Sequence, residues 1–163
     1  MDLTSYNIDV LLLTAIKSEI ESKIAYTKLA EKIENDLLKD KLTFLANEEE
    51  KHRLIIEDIF KNHFSDKEIK IPEKTAVPLP EIQINENTPL SKILEQAMVA
   101  EKVAQEFYES LSGRFEENSK IESTLRYFAT MELGHYKLLE IEKDNVERFE
   151  EADVYWPMVH VGP

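Results

Sequence analysis

The chain has 163 residues, 42% of them hydrophobic, enough for one compact domain with its own core. It has no cysteine, which excludes disulfides, zinc ribbons, iron–sulfur clusters, thiol catalysis and a rubredoxin-type iron centre. Its formal charge of −13, from 33 acidic against 20 basic residues, repels nucleic acid and anionic membranes and attracts cations. No apolar run of about 20 residues occurs, and no apolar segment follows a basic N-terminus. The expectation is a cytoplasmic protein with no membrane or nucleic-acid partner. Three glycines and an abundance of Glu, Lys, Leu and Ile predict an all-α fold.

A first helix is predicted over residues 8–34. Leu12, Ile16, Glu19, Tyr26, Leu29 or Ala30, and Ile33 recur at helical spacing on its inward face. Asn35 and Asp36 break the pattern and can cap a second helix over 37–63. Its face reads Leu38, Leu42, Leu45, Glu49, His52, Ile56 and Ile59. Residues 65–88 hold Pro72, Pro78 and Pro80 and show no helical period, so an extended connection is expected. A third helix is predicted with Thr88 as its N-cap and Pro89 as its first helical residue, and with Gly113 near its end. Its face reads Leu90, Leu94, Ala97, Glu101, Ala104, Tyr108 and Leu111. Ser119 and Glu122 have the spacing of a capping box for a fourth helix. That helix presents Leu125, Phe128, Glu132, His135, Leu139, Val146 and Phe149.

Helices of this length run on the order of 40 Å, and two dozen extended residues can span about 75 Å. The prediction is a four-helix bundle of two antiparallel hairpins, joined by a long crossover between helices two and three. The bundle would occupy residues 1–150. The tail 151–163, with Trp156, Met158 and Val159, would dock on it or on a partner subunit.

The two halves repeat. At an offset of 82, Glu19 meets Glu101, Tyr26 meets Tyr108 and Leu29 meets Leu111. At an offset of 83, Leu45 meets Phe128, Ala46 meets Ala129, Glu49 meets Glu132 and His52 meets His135. One extra residue in the second hairpin's turn accounts for the change, and the arrangement is pseudo-twofold. The repeat selects one glutamate from the run "ANEEEKHRL". Glu48 aligns with Met131 and Glu50 with Leu133, so only Glu49 has an acidic counterpart. Glu49 and His52, three apart, share a helix face. Glu48 and Glu50 are expected in solvent.

Six polar groups therefore face inward: Glu19, Glu49, His52, Glu101, Glu132 and His135. Four ionised carboxylates in a dry core would cost tens of kcal/mol, against a domain's net stability of about 5–15 kcal/mol. Protonation relieves part of this. Two divalent cations relieve more, since four positive charges balance four negative ones. Mixed oxygen and nitrogen donors suit iron or manganese. A Glu-x-x-His pair alone also arises by chance in a Glu-rich chain. Here both pairs lie on apolar faces, where Glu is rare, and one repeat relates them.

Tyr26 and Tyr108 each lie two turns beyond a site glutamate. They either pack as ordinary half-buried rings or hydrogen-bond a carboxylate ligand, and the second reading is preferred; a radical or proton-donor role is a further option. Ala104 leaves space beside Glu101, for small-molecule access or for packing between large neighbours. His63 and Glu142, near helix ends, are expected in solvent. His160, in the tail, is a distant candidate for the site.

A glutamate in helix one, "EEKH" in helix two, a glutamate in helix three, "MELGH" in helix four and the crossover between the hairpins together resemble the ferritin-like di-iron carboxylate superfamily. The resemblance covers residues 8–150. Within it, "AEKVAQEFYE" and "TMELGHYKLL" resemble the rubrerythrin-related group. Two departures stand out. There is no rubredoxin-like domain with its four cysteines, and Ala104 stands where that group has a second helix-three glutamate. Cage-forming ferritins end in a fifth helix, whereas this tail is short and holds Pro157.

The resemblance implies two iron ions, with manganese as the alternative, bridged by Glu49 and Glu132. Glu19 with His52, and Glu101 with His135, would complete the two shells. It further implies a non-haem di-iron oxidoreductase acting on peroxide or dioxygen and re-reduced by an external electron donor. A ferroxidase or other iron-handling protein is the first alternative, and a non-catalytic interaction module the second. The apolar tail and the long connection lead us to expect a homodimer.

Overall fold

Four helices carry the chain: α1 (Ile8–Lys32), α2 (Asp36–His63), α3 (Leu90–Ser112) and α4 (Lys120–Tyr155). The computed structural model describes residues 1–85, 88–115 and 120–155, with α4 side chains described as far as residue 150, and no strand occurs among them. The short link 33–35 makes α1 and α2 an antiparallel hairpin, and α3 and α4 pack together as a second.

The turn between α1 and α2 is written locally. Ile33 leaves α1 in an extended conformation, and the Asn35 side chain accepts from the Leu38 N–H at 3.1 Å, capping α2. The start of α3 differs from the sequence expectation. Pro89, extended at φ −51 and ψ 143, stands at the cap position, and the helix begins at Leu90 with no cap from its own flanking side chain. Instead Glu150, from α4, accepts from the Ser91 N–H at 3.3 Å and from its hydroxyl at 2.6 Å. A carboxylate from another helix thus meets the positive end of α3. The capping box proposed for α4 lies outside the described residues at Ser119.

Two apolar clusters fill the bundle. One joins Leu12, Ile16, Ile56, Phe60, Phe107, Leu111, Leu125 and Phe128. The other joins Leu29, Leu42, Leu45, Leu94, Ala97 and Leu139. The first takes the N-terminal half of α1 and the C-terminal half of α2, and the second the reverse, so they lie at opposite ends. The segment between α2 and α3 places Phe64, Ile69, Val77 and Leu79 at the first cluster and Ile82 and Ile84 at the second. It therefore passes along the bundle from one end to the other. Leu3 is buried at the first cluster, and Arg114 donates to the carbonyls of Leu3 and Tyr6, tying the N-terminal segment to the end of α3.

The inward residues follow the sequence pattern with four corrections. Phe149, expected inside, is 72% exposed. At 36 residues α4 is longer than its neighbours of 23 to 28, and Phe149 lies one turn past Val146, the last partly buried residue in the core. Glu48, expected in solvent, is buried and pairs with Lys51. Glu142 is likewise buried and pairs with Lys41 of α2. Glu50 is half-buried between Lys23, at 3.1 Å, and Arg53, whose Nε and Nη2 each lie 2.8 Å away. The Arg53 hydrogen bonds, joined by Lys23, pull the Glu50 carboxyl down to about 2. At each of the three glutamates a long cationic side chain reaches over and replaces water. Ala104 is half-buried, and His63 is exposed, as expected. Trp156, Met158, Val159 and His160 lie outside the described residues.

Candidate metal centre

Between the two apolar clusters the core turns polar. Glu19, Glu49, His52, Glu101, Glu132 and His135 are all buried there, none more than 3% exposed. The i, i+3 spacing on α2 and on α4 turns each Glu–His pair to the same face. Glu19 and Glu101 enter from the middles of α1 and α3.

The donor atoms fall into two groups. Glu19, Glu49, His52 and Glu132 offer ligand atoms within 4.8 Å of one another, and so do Glu49, Glu101, Glu132 and His135. Glu49 and Glu132 belong to both. Glu132 places Oε1 3.0 Å from His52 Nδ1 and Oε2 3.1 Å from His135 Nδ1. Glu49 places Oε2 4.0 Å from His52 Nδ1 and Oε1 3.4 Å from His135 Nδ1. Each of these carboxylates therefore turns one oxygen toward each histidine. Glu19 reaches only His52 Nδ1, at 3.6 Å, and Glu101 only His135 Nδ1, also at 3.6 Å. The two rings lie nearly parallel with centroids 5.8 Å apart, and Phe128 packs on His52 at 4.3 Å. That Phe128 contact was not foreseen from the sequence, where Phe128 reads as one more core residue.

Several of these atoms have no hydrogen-bond partner although they are buried. They are Glu19 Oε2, Glu49 Oε1, Glu132 Oε1, both ring nitrogens of His52, and His135 Nε2. A core rarely leaves so many polar atoms without partners in one place. Carboxylate oxygens and imidazole nitrogens converging in this way fit divalent first-row metal ions.

The electrostatics agree with that fit. Burial first, and then the charges of Glu132, Glu19 and Glu101, push the Glu49 carboxyl well above its usual range. Burial and Glu101 do the same to Glu132. Burial also works against Glu19, but its interactions with Glu49, His52 and Tyr108 outweigh it and hold Glu19 low. For His135, burial opposes the charged ring, yet Glu101, Glu132 and Glu49 outweigh that and raise it. The protein groups by themselves thus hold protons at a site whose charge a cation would balance.

The tyrosines take up the expected hydrogen bonds, but across the hairpins. The Tyr26 hydroxyl, from α1, donates to Glu101 of α3, and the Tyr108 hydroxyl, from α3, donates to Glu19 of α1. Burial, together with the charge of the bonded glutamate, raises both phenols, which keeps them protonated as donors. Glu48, His63 and Glu142 take no part in either donor group. Among the described residues, no helix is long and apolar enough to cross a membrane.

Comparison with known proteins gives the same picture. No curated protein matches the chain. A solved structure of a hypothetical protein from Pyrococcus furiosus is 32% identical and superposes with a TM-score of 0.81, over 91% of this chain and 95% of that one. The rubrerythrin family model matches residues 11–143. The match begins in α1 before Glu19 and ends in α4 beyond His135, so it takes in every carboxylate and histidine of the two donor groups, and the chain belongs to the rubrerythrin family.

Proposed function

We propose that the protein is a non-haem di-iron oxidoreductase acting on peroxide or dioxygen. The observation that carries this reading is the sharing of Glu49 and Glu132 between two four-residue donor groups. In this reading Glu49 and Glu132 would be shared between two irons, Glu19 and His52 would help hold one of them, and Glu101 and His135 would help hold the other. A bound iron pair supplies two electrons for cleaving an O–O bond. The chain's own part is to set the spacing of the donors and to keep water out. Phe128, Ile16, Leu45 and Leu94 close the centre from both ends. Tyr26 and Tyr108 hold Glu101 and Glu19 in place, each keeping its proton on the phenol oxygen. With no cysteine in the chain, electrons for re-reduction come from a separate donor.

The net charge of −13 also suits an iron-handling role, since it draws cations to the surface. Stoichiometry separates the two. A peroxidase turns over many peroxides per chain when given a donor, whereas a ferroxidase or carrier takes up ferrous iron beyond two ions. The first experiment is metal analysis of anaerobically purified protein beside Glu49→Ala and Glu132→Ala. About two irons per chain, lost in both variants, is the expected result. Two manganese ions would keep the site and redirect the chemistry. No bound metal, with melting unchanged by ferrous iron, would end this reading and leave a helical interaction module.

A further inference from the structure

The internal repeat makes each half of the chain a control for the other. The Glu19 and His52 donors face the first apolar cluster, where Phe128 packs on His52 and Tyr108 bonds Glu19. Three rings meet at that end: Phe107 lies 5.8 Å from Tyr108, and Tyr108 lies 5.5 Å from Phe128. The Glu101 and His135 donors face the second cluster, where Tyr26 bonds Glu101. There the repeat sets Ala25, Tyr26 and Leu45 against Phe107, Tyr108 and Phe128. Two of the three rings are therefore replaced by smaller side chains at this end.

A cavity of about 260 Å³ stands at Ala25. Ser18, Ser22 and Ala25 of α1 line it, with Pro80, Ile82 and Ile84 of the segment between α2 and α3. α1 packs on α2 and α3 on α4, but α1 and α3 hardly meet. The segment runs along the seam between them, and its Gln83 N–H donates to the Gln96 side chain of α3 at 3.0 Å. Ser22 stands one turn from Glu19, and Ala25 adjoins Tyr26. The hydroxyls of Thr14, Thr43 and Ser110 donate to the carbonyl four residues back. Among the described residues, those of Ser18 and Ser22 have no partner and remain available in the cavity wall. A cavity of this size with polar groups in its wall takes several water molecules. A close-packed cluster of rings leaves no such space.

We propose that the two metal positions are unequal: the one at Glu101 and His135 is reached through this cavity and exchanges its ion, whereas the one at Glu19 and His52 is closed by rings and keeps its ion. The inference rests on the two-metal reading above. An ion leaves carboxylates and imidazoles only as water or another ligand takes their place, so the packing around the donors sets the rate. Phe128 is a positioning residue in this scheme. Its ring lies 4.3 Å from the His52 ring, tilted by 31°, and holds that imidazole in place. Its counterpart Leu45 has no ring to set against His135. Ser22 and Ala25 mark the route on the other side, because a larger side chain at either position would fill the cavity.

The test is a chelator challenge of the full chain loaded with cobalt(II), followed by visible absorption and by metal analysis of the desalted protein. One ion per chain should leave about tenfold faster than the other, the scale on which a ligand's surroundings alter metal binding. His135→Ala should abolish the fast phase and His52→Ala the slow one. Ser22→Leu should slow the fast phase alone, and Phe128→Leu should quicken the slow phase alone, with helical content native by circular dichroism. Ala25→Phe, which gives α1 the residue of its counterpart, repeats the Ser22→Leu test if that variant does not fold. Two ions that leave at one rate would overturn the inference and leave the two-metal reading standing. So would a fast phase that survives His135→Ala, or one unmoved by both Ser22→Leu and Ala25→Phe. A chain that binds no cobalt would overturn the two-metal reading and this inference with it.

Discussion

Tyr26 stands on α1 and bonds Glu101 on α3, while Tyr108 on α3 bonds Glu19 on α1. The exchange ties the two hairpins together at the point where their donors meet. It also means that each phenol acts on the half of the site opposite its own helix's glutamate. Tyr26→Phe keeps the ring and removes the bond, leaving a buried carboxylate oxygen without its donor at a cost of about 1–3 kcal/mol. The expected result is metal binding weakened about 10–100-fold. Tyr26→Phe should loosen mainly the ion beside His135, and Tyr108→Phe mainly the ion beside His52. Anaerobic ferrous titration of the two variants reads this directly, and native affinity in both would reduce the tyrosines to packing rings. Glu49 was legible at this scale because the internal repeat gave it an acidic counterpart. Glu48 was misread because the repeat picks out acidic counterparts and says nothing of burial; its partner Lys51 stands only three residues on, on the same helix.

The same contrast governs the elements. The start of α2 was legible because its cap is local: Asn35 needs only Leu38, three residues on. Asn35→Ala should cost about 1 kcal/mol, read as a lower denaturation midpoint with an unchanged slope. The start of α3 was not legible. Its first turn is completed by Glu150, 59 residues away, and no local pattern shows that. Phe149 failed for a related reason. Helical periodicity states which side of α4 a residue occupies, but not whether a neighbouring helix extends that far.

Across the whole molecule, a stack of apolar, polar and apolar layers sets the balance of charge. Glu49, Glu132 and His135 bind protons more tightly in the fold than their ordinary values of 4.5 and 6.5. The stability tied to those protons is whole below the ordinary values and is lost as pH rises through the raised ones. Glu19, held low, acts the opposite way, its contribution being lost as pH falls. The carboxyls held low, Glu19 and Glu50 among them, are ionised throughout this range and contribute equally across it, so chelator-treated protein should melt at lower temperature as pH climbs from about 5 to about 8. Excess ferrous or manganous ion displaces these protons and should reverse the trend. A melting profile that is the same with and without the ion would place no cation at this centre. By itself the sequence determined the four helices, most of their inward faces and the burial of Glu19, Glu49, His52, Glu101, Glu132 and His135, because periodicity, the internal repeat and the scarcity of Glu on apolar faces are local or countable facts. Only the tertiary structure decided that Glu49 and Glu132 turn one oxygen to each histidine, that each tyrosine serves the opposite hairpin, and that Lys41 of α2 covers Glu142 of α4. Those depend on how far one helix lies from another and in what register, which no stretch of sequence states.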